Sequence, residues 1–170
     1  MGERDSHLQE NAQQLGRMRA LVERLSDRDL GRPVNDAWSI AGVLGHLAFW
    51  DGRALVLAER LRRGVPFSAS DAEPEDVDWI NDAARPLIHA IPPEIAAGLA
   101  LEIAQRTDAM VASLSAEEAS AAWPNDPESP LNLNRAAHRG EHLDEIEAAL
   151  AREATGGGPA GGGQRVAGGG

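Results

Sequence analysis

The 170-residue chain contains no cysteine and no tyrosine, and its aromatic residues are four tryptophans and two phenylalanines. Without cysteine, disulfides, thiolate metal sites and a cysteine nucleophile are all excluded, so any metal ligand must be His, Asp or Glu. Because aromatics are scarce, the core must be built from Ala, Leu, Val and Ile, and an alanine-rich chain favours helix.

Positive charge is also in deficit, since 16 basic residues, all of them arginine, face 27 acidic ones and give a formal net charge of −11. A duplex-binding protein gains affinity by neutralising phosphates, so we expect neither nucleic acid nor an anionic membrane as a partner. The N-terminal residues lack the apolar core of a signal peptide, and no stretch approaches the roughly 20 apolar residues of a membrane span. The composition therefore predicts a soluble cytoplasmic protein.

Apolar residues recur three, four or seven apart and predict four long helices, over about 3–25, 40–63, 94–114 and 131–153. A shorter helix over 75–90 is predicted to be kinked or ended early by Pro86. Residues 27–36 and 123–130 are predicted loops, and the capping box that starts at Ser115 predicts a brief helical turn. In the helix 94–114, the residues spaced for burial are Ile95, Leu99, Ile103, Met110 and Leu114.

The Gly-rich residues 155–170 have too little apolar surface to offset the entropy of ordering, and we expect a disordered tail there. Residues 1–154 are predicted to form one all-α domain. Long amphipathic helices joined by connections of moderate length predict an antiparallel four-helix bundle, here with a short extra helix.

Two histidines, His138 and His142, lie four residues apart on a predicted helix, so both imidazoles can point at one place. The pattern is not that of zincin metalloproteases, because Glu141 directly precedes the second histidine and is rotated about 100° from it. His46 lies within an otherwise apolar helix, where a buried polar ring needs a partner. On spacing alone, the pair could equally be solvated and His46 could be a hydrogen-bonded core residue.

The segment Trp38-Ser-Ile-Ala-Gly-Val-Leu-Gly-His46-Leu-Ala-Phe-Trp50-Asp51 resembles the W-[ST]-x-x-x-[VL]-L-x-H-[LI] signature of DinB-like proteins. His138-Arg-Gly-Glu-His142-Leu-Asp-Glu-Ile146 resembles the H-x-x-x-H-L-x-x-I segment of one DinB branch. That branch includes the ClbS/DfsB-like proteins and the N-terminal domains of mycothiol-dependent maleylpyruvate isomerases. The likeness covers roughly residues 8–150.

This resemblance implies a bundle in which His46, His138 and His142 bind one divalent metal, zinc in the first place and nickel in the second. It also implies thiol-S-transferase chemistry with a low-molecular-weight thiol such as mycothiol or bacillithiol. A second register places Asn134 at the first histidine position and leaves His142 outside the site. We prefer the first register because it retains both late histidines as ligands.

Three acidic residues, Glu141, Glu145 and Asp51, are candidate hydrogen-bond partners of the ligand rings, and each could equally be a solvated helix charge. Trp79 and Asn81 could line a pocket near the metal, although core packing is the preferred interpretation of Trp79. The remaining histidines, His7 and His89, are interpreted as surface or core residues.

Three functions follow from these features. The preferred one is a metal-dependent thiol transferase, isomerase or hydrolase that acts on a small electrophile, because three neutral imidazoles leave a coordination position open. The second is a protective protein that sequesters its ligand without turnover, since no general acid or base can be assigned. The third is a structural bundle that forms a homodimer.

Overall fold

Four long helices dominate the computed structural model, which describes residues 3–72, 74 and 76–156. Within those residues the chain is all-α, and no strand forms. The helices are α1 (Glu3–Arg24), α2 (Asp27–Leu30), α3 (Ile40–Arg62), α4 (Asp78–His89), α5 (Pro93–Ser113), α6 (Ala116–Ser120) and α7 (Ala136–Gly156). The long helices α1, α3, α5 and α7 form the predicted bundle, and α4 is the predicted extra helix.

The contacts between helices fix their directions. Asn11, in the first half of α1, bonds to Leu133, just before α7 begins. Arg17, further along α1, bonds to Asp144 in the middle of α7. The helices α1 and α7 are therefore parallel. The same reasoning makes α3 and α5 parallel, because Thr107 of α5 bonds to the middle of α3 and Ser113 bonds to its end.

These two parallel pairs run antiparallel to each other. His46 of α3 lies beside His142 of α7, whereas Asp51, further along α3, bonds to Arg135 at the start of α7. Each of α1 and α3 packs against both α5 and α7. Because α3 and α5 point the same way, the chain between them must return along the bundle, and α4 lies in that return.

Local capping decides several helix ends. The predicted loop 27–36 begins with the short helix α2, because Ser26 and Asp29 form a reciprocal capping box. The predicted end of α3 is confirmed, since Gly64 follows its last turn with a φ of 71° that favours glycine. The predicted turn after Ser115 is α6.

The start of α7 was predicted about five residues too early. Residues 131–135 are not helical, because Leu131 and Leu133 are buried and the Asn11 side chain bonds to both the Leu133 carbonyl and the Arg135 amide. These partners come from α1, more than a hundred residues away, so periodicity within the segment could not reveal them.

Helix α4 begins later than predicted and does not end early at Pro86. The helix begins at Asp78 rather than near residue 75, and it continues past Pro86 to His89. A proline removes one helix hydrogen bond. Here the helix continues despite that loss, and α4 packs against α3 with Ile88 buried. Trp79 does not pack in the core, because 61% of its surface is exposed.

The buried face of α5 also differs from the predicted one. Ile95 is 51% exposed, Leu99, Ile103 and Met110 are only partly buried, and Leu114 alone of the predicted set is fully packed. The buried residues of α5 are mostly small: Ala96, Ala97, Ala100, Ala104, Thr107 and Val111. Small side chains allow α5 to lie close against α3, and this close packing outweighs the burial of the larger residues.

Two apolar clusters form the core, one around Leu44, Leu47 and Ile146 and the other around Leu57, Val111 and Leu131. A polar layer separates them along the bundle. The polar layer consists of five hydrogen-bonded residues from α3, α5, α7 and the position just before α7: Asp51, Thr107, Asp108, Arg135 and Arg139.

Helix α3 is long and apolar enough to cross a membrane by length and composition, although no membrane span was predicted. However, 78% of the residues in that stretch are buried inside the bundle, as in a core helix. At the other end of the chain, α7 extends to Gly156, two residues into the predicted tail. The rest of that tail, residues 157–170, lies outside the described residues.

Candidate metal centre

The three predicted histidines lie together between α3 and α7. His46 points from α3 towards two rings that are one turn apart on α7, His138 and His142. The Nε2 atoms of His46 and His138 are 3.3 Å apart, and the ring of His142 lies 4.8 Å from each of the other two ring centres. One nitrogen from each ring lies within 4.8 Å of the others, so the group could hold a metal ion.

This spacing fits a cation of zinc size. Two nitrogens that are each about 2.1 Å from one ion, at a tetrahedral angle, lie about 3.4 Å apart. The pair His46 and His138 already has nearly that separation. Three uncharged imidazoles suit zinc and other late divalent metals, and they leave a fourth position for water or a ligand.

The orientation of His142 is fixed by Glu145, which was one of the predicted partners. The Nδ1 atom of His142 donates to a Glu145 carboxylate oxygen at 2.8 Å. That bond places the proton on Nδ1 and leaves Nε2 with a free lone pair for a metal. Glu141, the other candidate on this helix, is exposed and does not line the cavity beside the histidines.

We expect Glu145→Gln to weaken zinc affinity about 10- to 100-fold, because a neutral amide holds the His142 tautomer and its basicity less firmly than a carboxylate. Competition titration against a zinc-binding dye measures the change. Glu141→Gln is the matched control on the same helix, and its zinc affinity should equal that of the wild type. Equal loss in both variants would mean that only general charge matters.

Burial makes two of the rings difficult to protonate. It lowers the pKa of His46 to about 4, with the neighbouring His142 adding to the effect. Burial also lowers the pKa of His138 to about 2, with the neighbouring His142 and Arg135 adding to the effect. Both rings are therefore neutral near pH 7, as metal ligands must be.

This electrostatic environment predicts that the metal-free protein is acid-sensitive. Below pH 6.5 the unfolded chain binds protons at His46 and His138, whereas the folded protein does not until pH approaches 4. Stability is therefore intact above pH 6.5 and falls below it, by up to about 1.4 kcal/mol per pH unit for each ring. Urea unfolding of chelator-treated protein between pH 7 and 4.5 measures the slope, and a flat profile would contradict the burial of these rings.

The histidines open onto a cavity of about 440 Å³. Its lining residues are Asn35, Trp38, Val43, His46, Trp50, Val77, Asn81, Asn132, Arg135, His138, His142 and Glu145. Asn81 thus lies at the cavity, as considered from sequence, and it accepts a hydrogen bond from the Trp50 indole at 3.0 Å. Trp79 does not line the cavity, so neither interpretation of that residue is correct.

Asp51 has a different role from both predicted ones. Its carboxylate is fully buried and accepts from Arg135 at 2.9 Å and from Arg139 at 2.8 Å, so it is neither solvated nor bonded to a histidine ring. Arg139 also makes two bonds to Asp108 on α5. Burial opposes the charge of Arg139, but the two carboxylates outweigh it and raise its pKa.

Sequence reasoning missed this arginine pair. Arg139 lies on the inner face of α7, four residues before Leu143, and Arg135 lies four residues before Arg139, just ahead of the helix. Two arginines on a face that also carries apolar residues are a signal for buried ion pairs, because an isolated buried charge is too costly. Asp51, in an otherwise apolar helix, was the matching signal.

The remaining histidines lie away from the centre. His7 is buried and stacks on Trp123 with ring centres 5.8 Å apart. His89 is exposed at the end of α4 and contacts Trp38. Asn134, the alternative ligand of the second register, bonds to Glu10 and to the Ala136 amide and does not line the cavity. The geometry therefore favours the register that includes His142.

Comparison with known proteins gives one family match. The family model described as the DinB superfamily matches residues 10–157, well over half of the chain. Neither a curated protein nor a solved structure matches the chain. On the family match, and with a bundle that places the signature histidines together, the chain belongs to the DinB superfamily.

Proposed function

We propose that this protein binds one divalent metal ion, zinc in the first place and nickel in the second, through His46, His138 and His142. The supporting observation is that one nitrogen from each ring converges at a cavity wall, within 4.8 Å of the others. The donor set supports the choice of metal, because three imidazoles without a thiolate match the ligand sets of catalytic zinc sites.

We further propose that the bound metal supports catalysis on a small electrophile, as a thiol transferase, an isomerase or a hydrolase. Bound at this place, zinc would supply Lewis acidity and would lower the pKa of a thiol or water. The chain contributes the rest. Glu145 keeps the His142 proton on Nδ1, and Trp38 and Trp50 form aromatic walls of the cavity that restrict water.

The cosubstrate proposed for this chemistry is a low-molecular-weight thiol such as mycothiol. This part of the proposal rests on the resemblance of His138 to Ile146 to the thiol-dependent branch of the family. We also propose a cytoplasmic protein that forms a homodimer and binds neither nucleic acid nor membrane, since its net charge is −11. Size-exclusion chromatography with light scattering tests the dimer.

The test of catalysis combines metal analysis with turnover. Zinc-loaded wild type is incubated with mycothiol or bacillithiol and a panel of electrophiles that includes maleylpyruvate, and product is followed by mass spectrometry. We expect many product molecules per chain, and none above background with His46→Ala. His89→Ala is the matched control and should retain turnover. A fully metal-loaded protein that shows no product across the panel would contradict an enzymatic role.

One observation favours the second candidate, a protein that sequesters its ligand without turnover. Apart from the metal ligands, the ionisable residues lining the cavity are Glu145 and Arg135, and both already make hydrogen bonds. No group is thereby assigned as a free general acid or base. Protection that stops at one electrophile per chain would support sequestration, whereas repeated turnover would eliminate it.

A further inference from the structure

Arg135 is a charged cavity residue that neither the histidine group nor the family signature accounts for. It lies immediately before α7, three residues ahead of His138, and its side chain lines the same cavity. Its Nε donates to a carboxylate oxygen of Asp51 at 2.9 Å. Because Asp51 is fully buried on the core helix α3, this bond holds the guanidinium in a fixed orientation.

The rest of the guanidinium is available to a ligand. The group has five N–H donors, and within the described part of the chain the hydrogen bond to Asp51 is made by Nε alone. The two terminal nitrogens are not among the buried atoms that lack a partner, so each retains some accessible surface, and Arg135 is one of the residues that line the cavity. Two terminal N–H groups in one plane match the two oxygens of a carboxylate.

Charge within the cavity supports the same occupant. Arg135 is the arginine among its lining residues, and the acidic side chain of the lining, Glu145, is bonded to His142. An anionic group is therefore attracted to the Arg135 side chain. Asn132 also lines the cavity and provides a further amide that could bond to a ligand oxygen.

We propose that the cavity binds a small carboxylate, with its carboxylate on the terminal nitrogens of Arg135 and its reactive or thiol end towards the three histidines. The orientation of the ligand's reactive or thiol end rests on the proposed metal site, whereas the binding of its carboxylate to Arg135 does not. Arg135 is then a specificity residue, and Asp51 is the residue that positions it. A neutral analogue of the same size would leave the guanidinium edge without a partner and would bind less well.

The test uses two thiols that differ only in charge, 3-mercaptopropionate and 3-mercaptopropionamide, and measures their affinity for the zinc-loaded full chain by calorimetry. We expect the wild type to prefer the carboxylate by about tenfold or more, the range of a charged hydrogen bond. Arg135→Gln should remove this preference and leave the affinity for the amide unchanged. The matched control is Arg106→Gln, an exposed arginine on α5 that pairs with Glu102, and it should behave as the wild type.

Loss of Arg135 also leaves Asp51 with one arginine, so folding is checked by circular dichroism. If Arg135→Gln does not fold, Arg135→Lys keeps the charge without the planar fork, and it should reduce the preference for the carboxylate. Equal affinity of the wild type for acid and amide would overturn the proposal. Tighter binding of 2-mercaptoethanesulfonate than of the carboxylate would also overturn it, because the site would then be built for a tetrahedral oxyanion.

Failure of the metal proposal is measured separately. Zinc content and affinity for the amide report on the histidine group, which Arg135 influences through its charge, and Arg135→Lys retains that charge. Chelator-treated protein is also titrated with succinate and with succinamide. The readout is tryptophan fluorescence, to which Trp38 and Trp50 of the cavity wall contribute. Preference for succinate that disappears in Arg135→Gln would support the carboxylate site even in a protein that binds no zinc. No preference in either metal state would overturn it.

Discussion

The His46→Ala variant is expected to bind zinc at least about 100-fold more weakly than the wild type, the largest effect on metal affinity that we predict. Loss of a hydrogen-bond partner of a ligand already costs about 10- to 100-fold in such sites, and loss of a ligand must cost at least as much. The two remaining rings both come from α7, so the variant also loses the link that the metal would make between α3 and α7.

This loss also appears as a change in stability. Zinc at about 1,000 times its dissociation constant stabilises a folded protein by about 4 kcal/mol. At the same zinc concentration, a 100-fold weaker site gives only about 1.4 kcal/mol. Urea unfolding with and without zinc therefore measures how much of the stabilisation by zinc depends on His46. Metal analysis after dialysis gives the number of zinc ions bound per chain.

The control for this experiment is His89→Ala, because His89 is exposed and contacts Trp38 near the same cavity without joining the histidine group. It should bind zinc and be stabilised by zinc as the wild type is. If His46→Ala kept the zinc affinity of the wild type, the proposed ligand set would be wrong, and the late histidine pair would have to bind zinc alone.

The Arg139→Met variant should show the largest loss of stability among the polar substitutions, about 3–5 kcal/mol, because one side of a buried ion pair is removed. Arg139 is completely buried and neutralises two carboxylates, Asp51 and Asp108. Without it, Asp108 is left without its ion pair in the core, and Asp51 keeps only Arg135. Urea unfolding at pH 7 in the presence of chelator measures the loss without a contribution from metal.

A double variant separates charge imbalance from loss of packing. Arg139→Met with Asp108→Leu leaves one acid and one base in the polar layer, Asp51 and Arg135, so the charges balance again. We expect this variant to be more stable than Arg139→Met alone, because buried ion pairs are often replaced by apolar residues at little cost. A double variant no more stable than the single one would show that packing, not charge, sets the loss.

The control arginine for this series is Arg106, whose side chain is more than half exposed and pairs with Glu102 one turn earlier. Arg106→Met should cost less than about 1 kcal/mol, as exposed ion pairs do. A comparable loss in both single variants would mean that the polar layer contributes no more than a surface pair.

The four long helices and the histidine pair could be predicted from the sequence because both depend on local spacing. Residues three and four apart share a helix face whatever the rest of the chain does, and His138 and His142 are such a pair. Leu143 and Ile146, three residues apart on α7, are buried in accordance with the same spacing.

What the sequence could not determine is which residue opposes which. Periodicity identifies a face but not its partner, so the alanine face of α5 and the exposed Ile95 followed only from the close packing of α5 on α3. The late start of α7 depends on Asn11, whose bonds span more than a hundred residues.

The tertiary structure likewise decided the environment of the site. By itself, the sequence determined a helical chain with a histidine pair four apart and a third histidine in an apolar helix. Only the packing of α3 against α7 brought the third ring to the pair and gave Asp51 two arginines in place of water. The physical reason is that a buried charge or ring must find its partners across the core, and those partners lie far away along the chain.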